Sequence, residues 1–180
     1  MQAMTRTAEA QASDVLTSAV AGDEAAFGRI VAAHDDEMYR ICVAVGRDRT
    51  VAGDAVQTAW AIAWKKLGAV RHPEGVRPWL ISVAVNETRK LLKKRGRRSE
   101  VEHLAETPDL HANVDPATGV DMLDLIAALE RLRPDDRALL AMRYMAGFNA
   151  SELEATLGTS PAAVRQRLKR LMERLREDLR

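Results

Sequence analysis

Residues 157–178, LGTSPAAVRQRLKRLMERLRED, most strongly restrict what this chain can fold into. Ser160 is a favourable N-cap and Pro161 suits the first helical position, so a helix is predicted to begin there. Apolar residues then recur every three or four positions, which is typical of an amphipathic helix that buries one face. This apolar seam consists of Val164, Leu168, Leu171, Leu175 and Leu179.

The polar face of this predicted helix changes its charge along its length. Its start carries cationic and amide side chains, whereas Glu173 and Glu177 lie further along and would repel a phosphate. An ordinary solvated face would also be polar, so this pattern alone leaves both interpretations open. The side chains at the start are Arg165, Gln166, Arg167, Lys169 and Arg170.

A short helix is predicted immediately upstream. Asn149 can cap it, with Glu152 reaching back in a capping box, and Gly158 ends it. Two helices joined by a short glycine-containing turn form a helix-turn-helix, whose second helix enters the major groove by its N-terminal residues. The position of the cationic cluster therefore favours DNA binding, because only the first turns of the helix would reach the duplex.

Charge is distributed unevenly along the chain, although the formal net charge is only +1. Residues 1–64 sum to −4, residues 65–98 to +9, residues 99–130 to −8 and residues 131–180 to +4. Two basic regions separated by an acidic one predict two contacts with a polyanion. The acidic stretch contains Pro108 and Pro116 and no sustained period, so 99–120 is predicted to be a linker that can extend to ~70 Å at most.

The remaining residues predict helices throughout, and aromatic content of 4% predicts aliphatic cores. Before the linker we expect helices at 14–21, 24–34 with Asp23 as its cap, 36–46, 50–68 with Thr50 as its cap, and 78–98 beginning at Pro78. After the linker we expect helices at 121–133 and 135–147. The fold class predicted is all-α with two small domains, 14–98 and 121–180, preceded by a flexible segment 1–13.

Other kinds of chemistry find little support in the sequence. The four histidines and the single cysteine, Cys42, show no metal-ligand spacing, and no phosphate-binding loop, catalytic carboxylate pair or nucleophile elbow is present. We therefore expect no enzyme, metal or cofactor, and a buried Cys42. No apolar run approaches ~18 residues and no signal peptide opens the chain, so a cytoplasmic protein is expected.

Two segments resemble the bacterial sigma-70 family. The run ALERLRPDDRALLAMRYMAGFNASELEATLGTSPAAVRQRLKRLMERLRE is similar to the family's region 4. The run DAVQTAWAIAWKKL, a loop, and RPWLISVAVNETRKLLKKRGRR are similar to its region 2. With only a short linker between them, the chain resembles the extracytoplasmic-function (ECF) group. The resemblance implies a non-catalytic factor that binds core RNA polymerase, recognises the −35 and −10 promoter elements and promotes duplex opening.

The resemblance also implies roles for particular residues. Asp54, Gln57 and Thr58 match positions that contact core polymerase, although the family usually has an acid where this chain has Thr58. The region 4 helix would read the −35 element with Arg165, Gln166, Lys169 and Arg170, together with Arg167. The family further implies promoter DNA and, commonly, an anti-sigma factor as partners.

The −10 element is assigned by the resemblance to two neighbouring segments. A loop matches the one that receives a flipped base, and the following helix matches the one that contacts the −10 strand. Ser82 and Val85 occupy positions where the family often carries basic residues. The loop residues are Arg71, His72, Pro73, Glu74, Gly75, Val76 and Arg77, and the helix residues are Trp79, Asn86, Arg89, Lys90, Lys93 and Lys94.

Two other functions fit part of the sequence. A conventional regulator with a sensing or dimerising N-terminal domain would explain the helix-turn-helix but would leave the basic run 89–98 and the polar face around Asp54 unexplained. An interaction module whose basic segments bind RNA or an acidic partner would explain the charge alone. Trp79 can also be a core residue that closes the loop onto its helix.

Overall fold

Local sequence signals divide the described chain into eight α-helices. The structure is a computed structural model that describes residues 2–102 and 120–179, with side chains described over 10–97 and 124–179. No strand occurs within these ranges, as the sequence predicts. The helices are α1 (Gln2–Val20), α2 (Glu24–Gly46), α3 (Arg49–Lys66), α4 (Val76–Glu102), α5 (Val120–Glu130), α6 (Pro134–Leu140), α7 (Ala150–Leu157) and α8 (Pro161–Asp178).

The N-terminal helices are longer than the sequence predicted. α2 is one helix, so the prediction of separate helices at 24–34 and 36–46 was wrong. The charged residues at the predicted break include no glycine or proline, and the backbone hydrogen bonds therefore continue through it. α1 begins at Gln2 rather than Asp14.

Carboxylates cap α2 and α3. Asp23 caps α2 as predicted, but the cap of α3 is Asp48 and not Thr50. Asp48 Oδ1 accepts hydrogen bonds from the backbone N–H groups of Thr50 at 2.8 Å and Val51 at 3.0 Å. The same carboxylate pairs with Arg95 of α4, which ties the start of α3 to a second helix.

α4 extends beyond both predicted ends. It begins at Val76, two residues before Pro78, and continues to Glu102. Residues 99–102 are therefore helical within the stretch predicted as a linker, while 103–119 lie outside the described residues. The linker and its reach stay predictions.

Small and aliphatic residues allow α2, α3 and α4 to pack closely. α3 buries Ala52, Ala55, Ala59 and Ala63 completely. Because alanine side chains are short, the neighbouring helices can approach this face closely. The residues that α2 and α4 contribute to this core include Met38, Ile41, Cys42, Val45, Leu80, Ile81, Ala84 and Val85.

The C-terminal helices pack around Phe148, which is 2% exposed. α6 is followed by a single π-helical turn, Ala141–Met145, and the backbone N–H of Phe148 then donates to the carbonyl of Met142 at 3.0 Å. The predicted seam of α8 is buried at Val164, Leu171 and Leu175 and half-buried at Leu168. Leu179 was predicted to continue the seam but lies after the end of α8 and is exposed.

The N-terminal unit, α1–α4, and the C-terminal unit, α5–α8, pack against each other. α2 and α4 contact α6, and α4 also contacts α7. Arg137 of α6 donates through Nε to the carbonyl of Val45 at 2.8 Å, and Arg47 pairs with Glu130. The buried residues of the two units form one continuous cluster.

Candidate nucleic-acid interface

Three local signals place α7 and α8 as a helix-turn-helix. The Asn149 side chain accepts hydrogen bonds from the backbone of α7, and the Asn149 backbone N–H donates to Glu152 Oε2 at 2.7 Å, which confirms the predicted capping box. Gly158 ends α7 with φ +68°, a conformation that glycine adopts without strain. Ser160 caps α8, with Pro161 in its first turn.

α8 presents its cationic start to solvent. Val164 and Leu171 are buried beneath this start, so the side chains between them on the opposite face point outward. The outward side chains are positioned by a buried seam and a fixed N-terminus, which is the arrangement needed to hold them against a groove. The exposed residues predicted to read the −35 element are Arg165, Gln166, Lys169 and Arg170.

Arg167 is placed differently from its neighbours. It is half-buried, and its guanidinium pairs with the Asp136 carboxylate at 2.6 Å. This pair joins the start of α6 to α8 within the C-terminal unit. Arg167 therefore positions the helix in this structure, and its predicted contact with DNA would require it to exchange Asp136 for a phosphate.

The predicted −10 residues on α4 form two groups. Lys90, Lys93 and Lys94 are exposed and form a cationic stripe. Trp79, Asn86 and Arg89, by contrast, are half-buried, and Trp79 packs at the edge of the core.

Two neighbouring side chains hold the guanidinium of Arg89. Its Nε donates to Asp135 Oδ1 at 2.8 Å, and its Nη1 donates to Asn86 Oδ1 at 3.1 Å. Burial opposes ionisation of Asp135, but the hydrogen bond and charge of Arg89 outweigh it, so the pKa of Asp135 lies below its ordinary value.

The predicted flipped-base loop contains a 3₁₀ turn, Pro73–Gly75, and reaches into the first residues of α4. Arg71, His72 and Glu74 are exposed, whereas Val76 is buried. The loop borders an open groove of about 620 Å³ between α1 and α2.

Arg77, the last residue of this loop, is held on two sides. Its Nε and Nη2 donate to the two carboxylate oxygens of Glu37 at 2.9 and 2.6 Å, and its Nη1 donates to the carbonyl of Ala146 at 3.0 Å. These hydrogen bonds with Glu37 raise the pKa of Arg77 above its ordinary value. The loop therefore leads into the first turn of α4, which these hydrogen bonds hold in place.

The predicted polymerase-binding residues lie on one outward face of α3. Asp54, Gln57 and Thr58 are exposed, and Thr58 donates its hydroxyl proton to the Asp54 carbonyl at 2.8 Å. On the other side of α3, Trp60 is half-buried and donates through Nε1 to Asp35 at 2.7 Å. The structure thus brings the three residues together on a surface available to a partner.

Sequence reasoning missed several residues that hold predicted site residues or their neighbours in place. Glu37, Asp135 and Thr156 contact predicted site residues or their neighbours, yet none was singled out. Ser82, for example, donates to the Pro78 carbonyl at 2.8 Å and shares a 2.7 Å hydrogen bond with Thr156. Contacts between residues this far apart in the chain leave no local pattern that could have predicted them.

Within the described ranges, no three His, Cys, Asp or Glu side chains are grouped so that they could hold a metal ion. No helix in the same ranges is both long and apolar enough to cross a membrane.

Family models match both units of the chain. The model for sigma-70 region 2 matches residues 30–98, and the model for sigma-70 region 4 matches residues 122–175. Together the two matches cover more than half of the chain. The region 2 match falls in the N-terminal unit and the region 4 match in the C-terminal unit, in the order that the sequence predicted.

Sigma factors of known sequence or structure are similar to this chain over most of its length. A probable RNA polymerase sigma factor, RfaY, of Xanthomonas campestris is 32% identical over 96% of this chain, which spans 45% of that protein's length. The ECF RNA polymerase sigma factor SigM of Mycobacterium tuberculosis is 27% identical over 91% of this chain and 82% of its own length. The solved sigma factor RpoE from Bartonella quintana, in complex with the anti-sigma factor NepR, shares the fold with a TM-score of 0.71 and 22% identity, over 85% of this chain and 96% of that one.

The fold, the two matched regions and their order lead to one assignment. The chain belongs to the sigma-70 family of RNA polymerase sigma factors, in its extracytoplasmic-function subfamily.

Proposed function

We propose that this chain binds core RNA polymerase, recognises the −35 and −10 promoter elements and promotes duplex opening at transcription initiation. The observation that carries the proposal is the pairing of two surfaces in one chain. The start of α8 displays its cationic side chains outward, and α3 displays the polar face of Asp54, Gln57 and Thr58. A stand-alone regulator would need the cationic surface of α8 to bind DNA, but it would not need the polar face of α3.

In this proposal, the start of α8 reads the −35 element in the major groove. Arginine donates bidentately to guanine edges and glutamine bonds bidentately to adenine, each contact contributing ~1–3 kcal/mol of discrimination. Arg165 and Gln166 are exposed at the point where such a helix enters the groove, and Lys169 and Arg170 follow one turn later. Glu173 and Glu177, also exposed, then lie beyond the duplex, which accounts for the change of charge along α8.

The proposed −10 surface is the outward side of α4 with the loop before it. Lys90, Lys93 and Lys94 supply phosphate contacts whose strength depends on counterion release. An unstacked base requires a pocket near such a cationic track, and the 71–77 loop leads into the start of the helix that carries the track. Trp79 and Asn86 lie between the loop and the lysines.

The proposal also places the chain in the cytoplasm, where polymerase and chromosome are, and gives it no catalytic chemistry of its own. Its partners are core RNA polymerase and promoter DNA. The solved relative RpoE is in complex with an anti-sigma factor. A protein of that class is proposed as a further partner, one that would compete for the same two surfaces.

The first test separates DNA reading from polymerase binding. Promoters are selected by run-off transcription with purified core polymerase over a random promoter library. Replacing Arg165→Ala and Arg170→Ala should reduce −35-dependent transcription at least about 10-fold, because two base contacts are lost. Replacing Asp54→Ala and Gln57→Ala should instead weaken the affinity for core polymerase, measured by fluorescence anisotropy of labelled sigma factor.

The matched control for the first pair is Arg174→Ala with Arg176→Ala. These arginines are exposed on the same helix, so the control removes the same charge beyond the proposed DNA contact. Control transcription should stay within about 2-fold of the unmodified protein. Equal losses in control and test pairs would show that charge alone matters, and a loss of core affinity in the Arg165/Arg170 pair would refute the role given to α8.

A further inference from the structure

One cation at the start of α8 is bound to the protein itself. Arg167 donates through Nε to Asp136 Oδ1 at 2.7 Å, and its Nη2 lies 2.6 Å from the same oxygen. Two nitrogens of one planar guanidinium therefore converge on a single carboxylate oxygen. Such a contact fixes the direction of the arginine side chain as well as its distance.

The carboxylate of this pair is anchored in α6. The side chain of Asp136 is 14% exposed, and its backbone N–H donates to the Arg133 carbonyl at 2.9 Å. In the next turn of α6, Ala138 and Leu139 are completely buried. Asp136 is therefore a fixed point against which α8 can be held.

The apolar seam of α8 does not determine the rotation of the helix by itself. Val164 and Leu171 are buried in the seam, but hydrophobic burial has no preferred direction. A small rotation of α8 about its axis would keep most of this area buried. Side chains that read bases must be held within about 10–20°, which requires a directional contact beside the seam. Arg167 lies on the flank of α8, between the seam and the outward face, and makes such a contact.

Moving Arg167 to a phosphate would leave carboxylates behind. Asp136 would lose this partner while its side chain is largely shielded from water, which is unfavourable for a charged group. Burial opposes ionisation of Asp135, but the hydrogen bond and charge of Arg89 and then the charge of Arg167 hold its pKa below the ordinary value. The charge of Arg167 thus acts on two carboxylates. The exposed arginines at the start of α8 can approach DNA without this cost.

We propose that Asp136 is a positioning residue that sets the base preference at the −35 element. It holds Arg167 on the flank of α8, fixes the rotation of the helix and so decides which side chains face the bases. The inference rests on the proposed function, since it assumes that the start of α8 reads the −35 element. It adds that Arg167 acts through Asp136 rather than through DNA, and that a residue outside the helix-turn-helix controls what that motif reads.

The pair should matter most for the neighbours of Arg167 that bond bidentately to bases. Gln166 directly precedes Arg167, and Arg170 follows one turn later on the same side; both are exposed. A bidentate contact needs two atoms of the side chain in register with the base edge, so rotation of α8 weakens it. Lys169 is a single point charge, and its contact with a phosphate tolerates displacement. Loss of the pair should therefore broaden the base preference more than it weakens binding to DNA.

The experiment removes the pair from each side. Asp136→Ala removes the carboxylate, Arg167→Ala removes the guanidinium, and the double variant removes both. Asp136→Glu retains a carboxylate and should preserve the pair. The matched controls are Glu154→Ala on α7 and Arg174→Ala on α8, which remove one charge each at exposed positions of the same unit.

The first readout is base preference, measured with the full chain bound to core polymerase. The templates have a fixed −10 element, a randomised −35 element and a barcode in the transcribed part, and the transcripts are counted by sequencing. A variant that is merely less stable would give fewer transcripts with the same preference, because every transcript comes from a folded molecule.

The two single variants should show the same loss of base preference. Asp136→Ala and Arg167→Ala should each lower the preference for the favoured base at least about 3-fold at one or more positions, because a bidentate contact is displaced. The double variant should lose no more than the stronger single variant, since all three lack the same contact. Asp136→Glu and the two controls should stay within about 2-fold of the unmodified chain.

The second readout is the Arg167 Nε–Hε signal in nuclear magnetic resonance spectra of the full chain. The Hε proton of Arg167 should exchange with water more slowly than that of the exposed Arg174 in the unmodified chain and in Asp136→Glu. In Asp136→Ala the two protons should exchange at similar rates. Equally fast exchange of both protons in the unmodified chain would overturn the proposal.

The base preferences can refute the proposal in three further ways. A broadened preference in Arg167→Ala but not in Asp136→Ala would show that Arg167 reads DNA itself. Unchanged preferences in both variants would show that the pair has no positioning role, and losses that add in the double variant would show two independent roles. If the unmodified chain gives no −35 preference at all, the proposed function itself fails, which differs from a normal preference that Asp136→Ala leaves intact.

Discussion

At the residue scale, Cys42 shows how its surroundings set the chemistry of a side chain. It is fully buried in α2, and burial raises the pKa of its thiol to about 11, although a hydrogen bond from Thr88 opposes the rise. The thiolate is the reactive form, so the folded protein should resist alkylation. We expect iodoacetamide to modify Cys42 at pH 8 at least about 100-fold more slowly in the native chain than in guanidinium chloride, as followed by mass spectrometry. Similar rates in the two conditions would mean that α2 opens readily.

Packing explains why this chain has Ser82 and Val85 at positions where the family often carries basic residues. Val85 is 0% exposed in the core of the N-terminal unit, where a charged side chain would be desolvated without a partner. Ser82 faces Thr156 of the C-terminal unit, where a longer basic residue would meet α7. The small side chain at position 82 and the apolar side chain at position 85 are therefore what the packing requires. The sequence alone could not show this packing.

At the scale of the helix, the cap of α3 gives a prediction for stability. Asp48→Ala should lower the free energy of unfolding by about 1–2 kcal/mol at pH 7, because it removes two hydrogen bonds to the helix N-terminus and the pair with Arg95. Thr50→Ala is the matched control, since Thr50 was the predicted cap but is exposed. Urea denaturation followed by circular dichroism measures both, and a larger loss in Thr50→Ala would contradict the assignment.

The same cap has a pH dependence with a definite sign. Burial opposes ionisation of Asp48, but hydrogen bonds from Val51, Arg95 and Thr50 prevail and lower its pKa below the ordinary 3.8. A depressed carboxylate pKa stabilises the fold above the unfolded value, and that contribution is lost as pH falls below about 3.8. The difference in stability between Asp48→Ala and the unmodified chain should therefore shrink as pH falls from 5 to 3.

The helices that the sequence predicted best are those whose ends carry their own signals. Asn149, Glu152, Gly158 and Ser160 each act on backbone groups within three or four residues, so α7 and α8 were predicted correctly. α2 was divided wrongly, although no glycine or proline interrupts the helix at the predicted division. The DNA-reading face of α8 was predicted from the same local pattern, whereas its roles in DNA binding stay predictions.

At the scale of the whole molecule, the packing of the two units was beyond prediction. Arg89 and Asp135 are 46 residues apart, and nothing in either neighbourhood identifies the partner. The alternating charge of the chain predicted separate contacts with a polyanion, but it also allows basic α4 to attract the acidic start of α6. The same kind of charge that suits contact with DNA therefore also joins the two units, as the Arg89–Asp135 pair shows.

One continuous core across both units leads to a prediction for cooperativity. If the units are coupled through this core and through the Arg89–Asp135 and Arg47–Glu130 pairs, they should unfold together, and scanning calorimetry should show one transition whose calorimetric and van't Hoff enthalpies agree. The variant Glu130→Ala with Asp135→Ala should divide it into two transitions, because each unit retains its own buried residues around Met38 or Phe148. The control Asp136→Ala with Glu154→Ala removes the same charge, but Asp136 pairs with Arg167 inside the C-terminal unit and Glu154 is exposed, so it should keep one transition. Two transitions in the unmodified chain would show that the units are thermodynamically independent, and that the contacts between them are too weak to couple their unfolding.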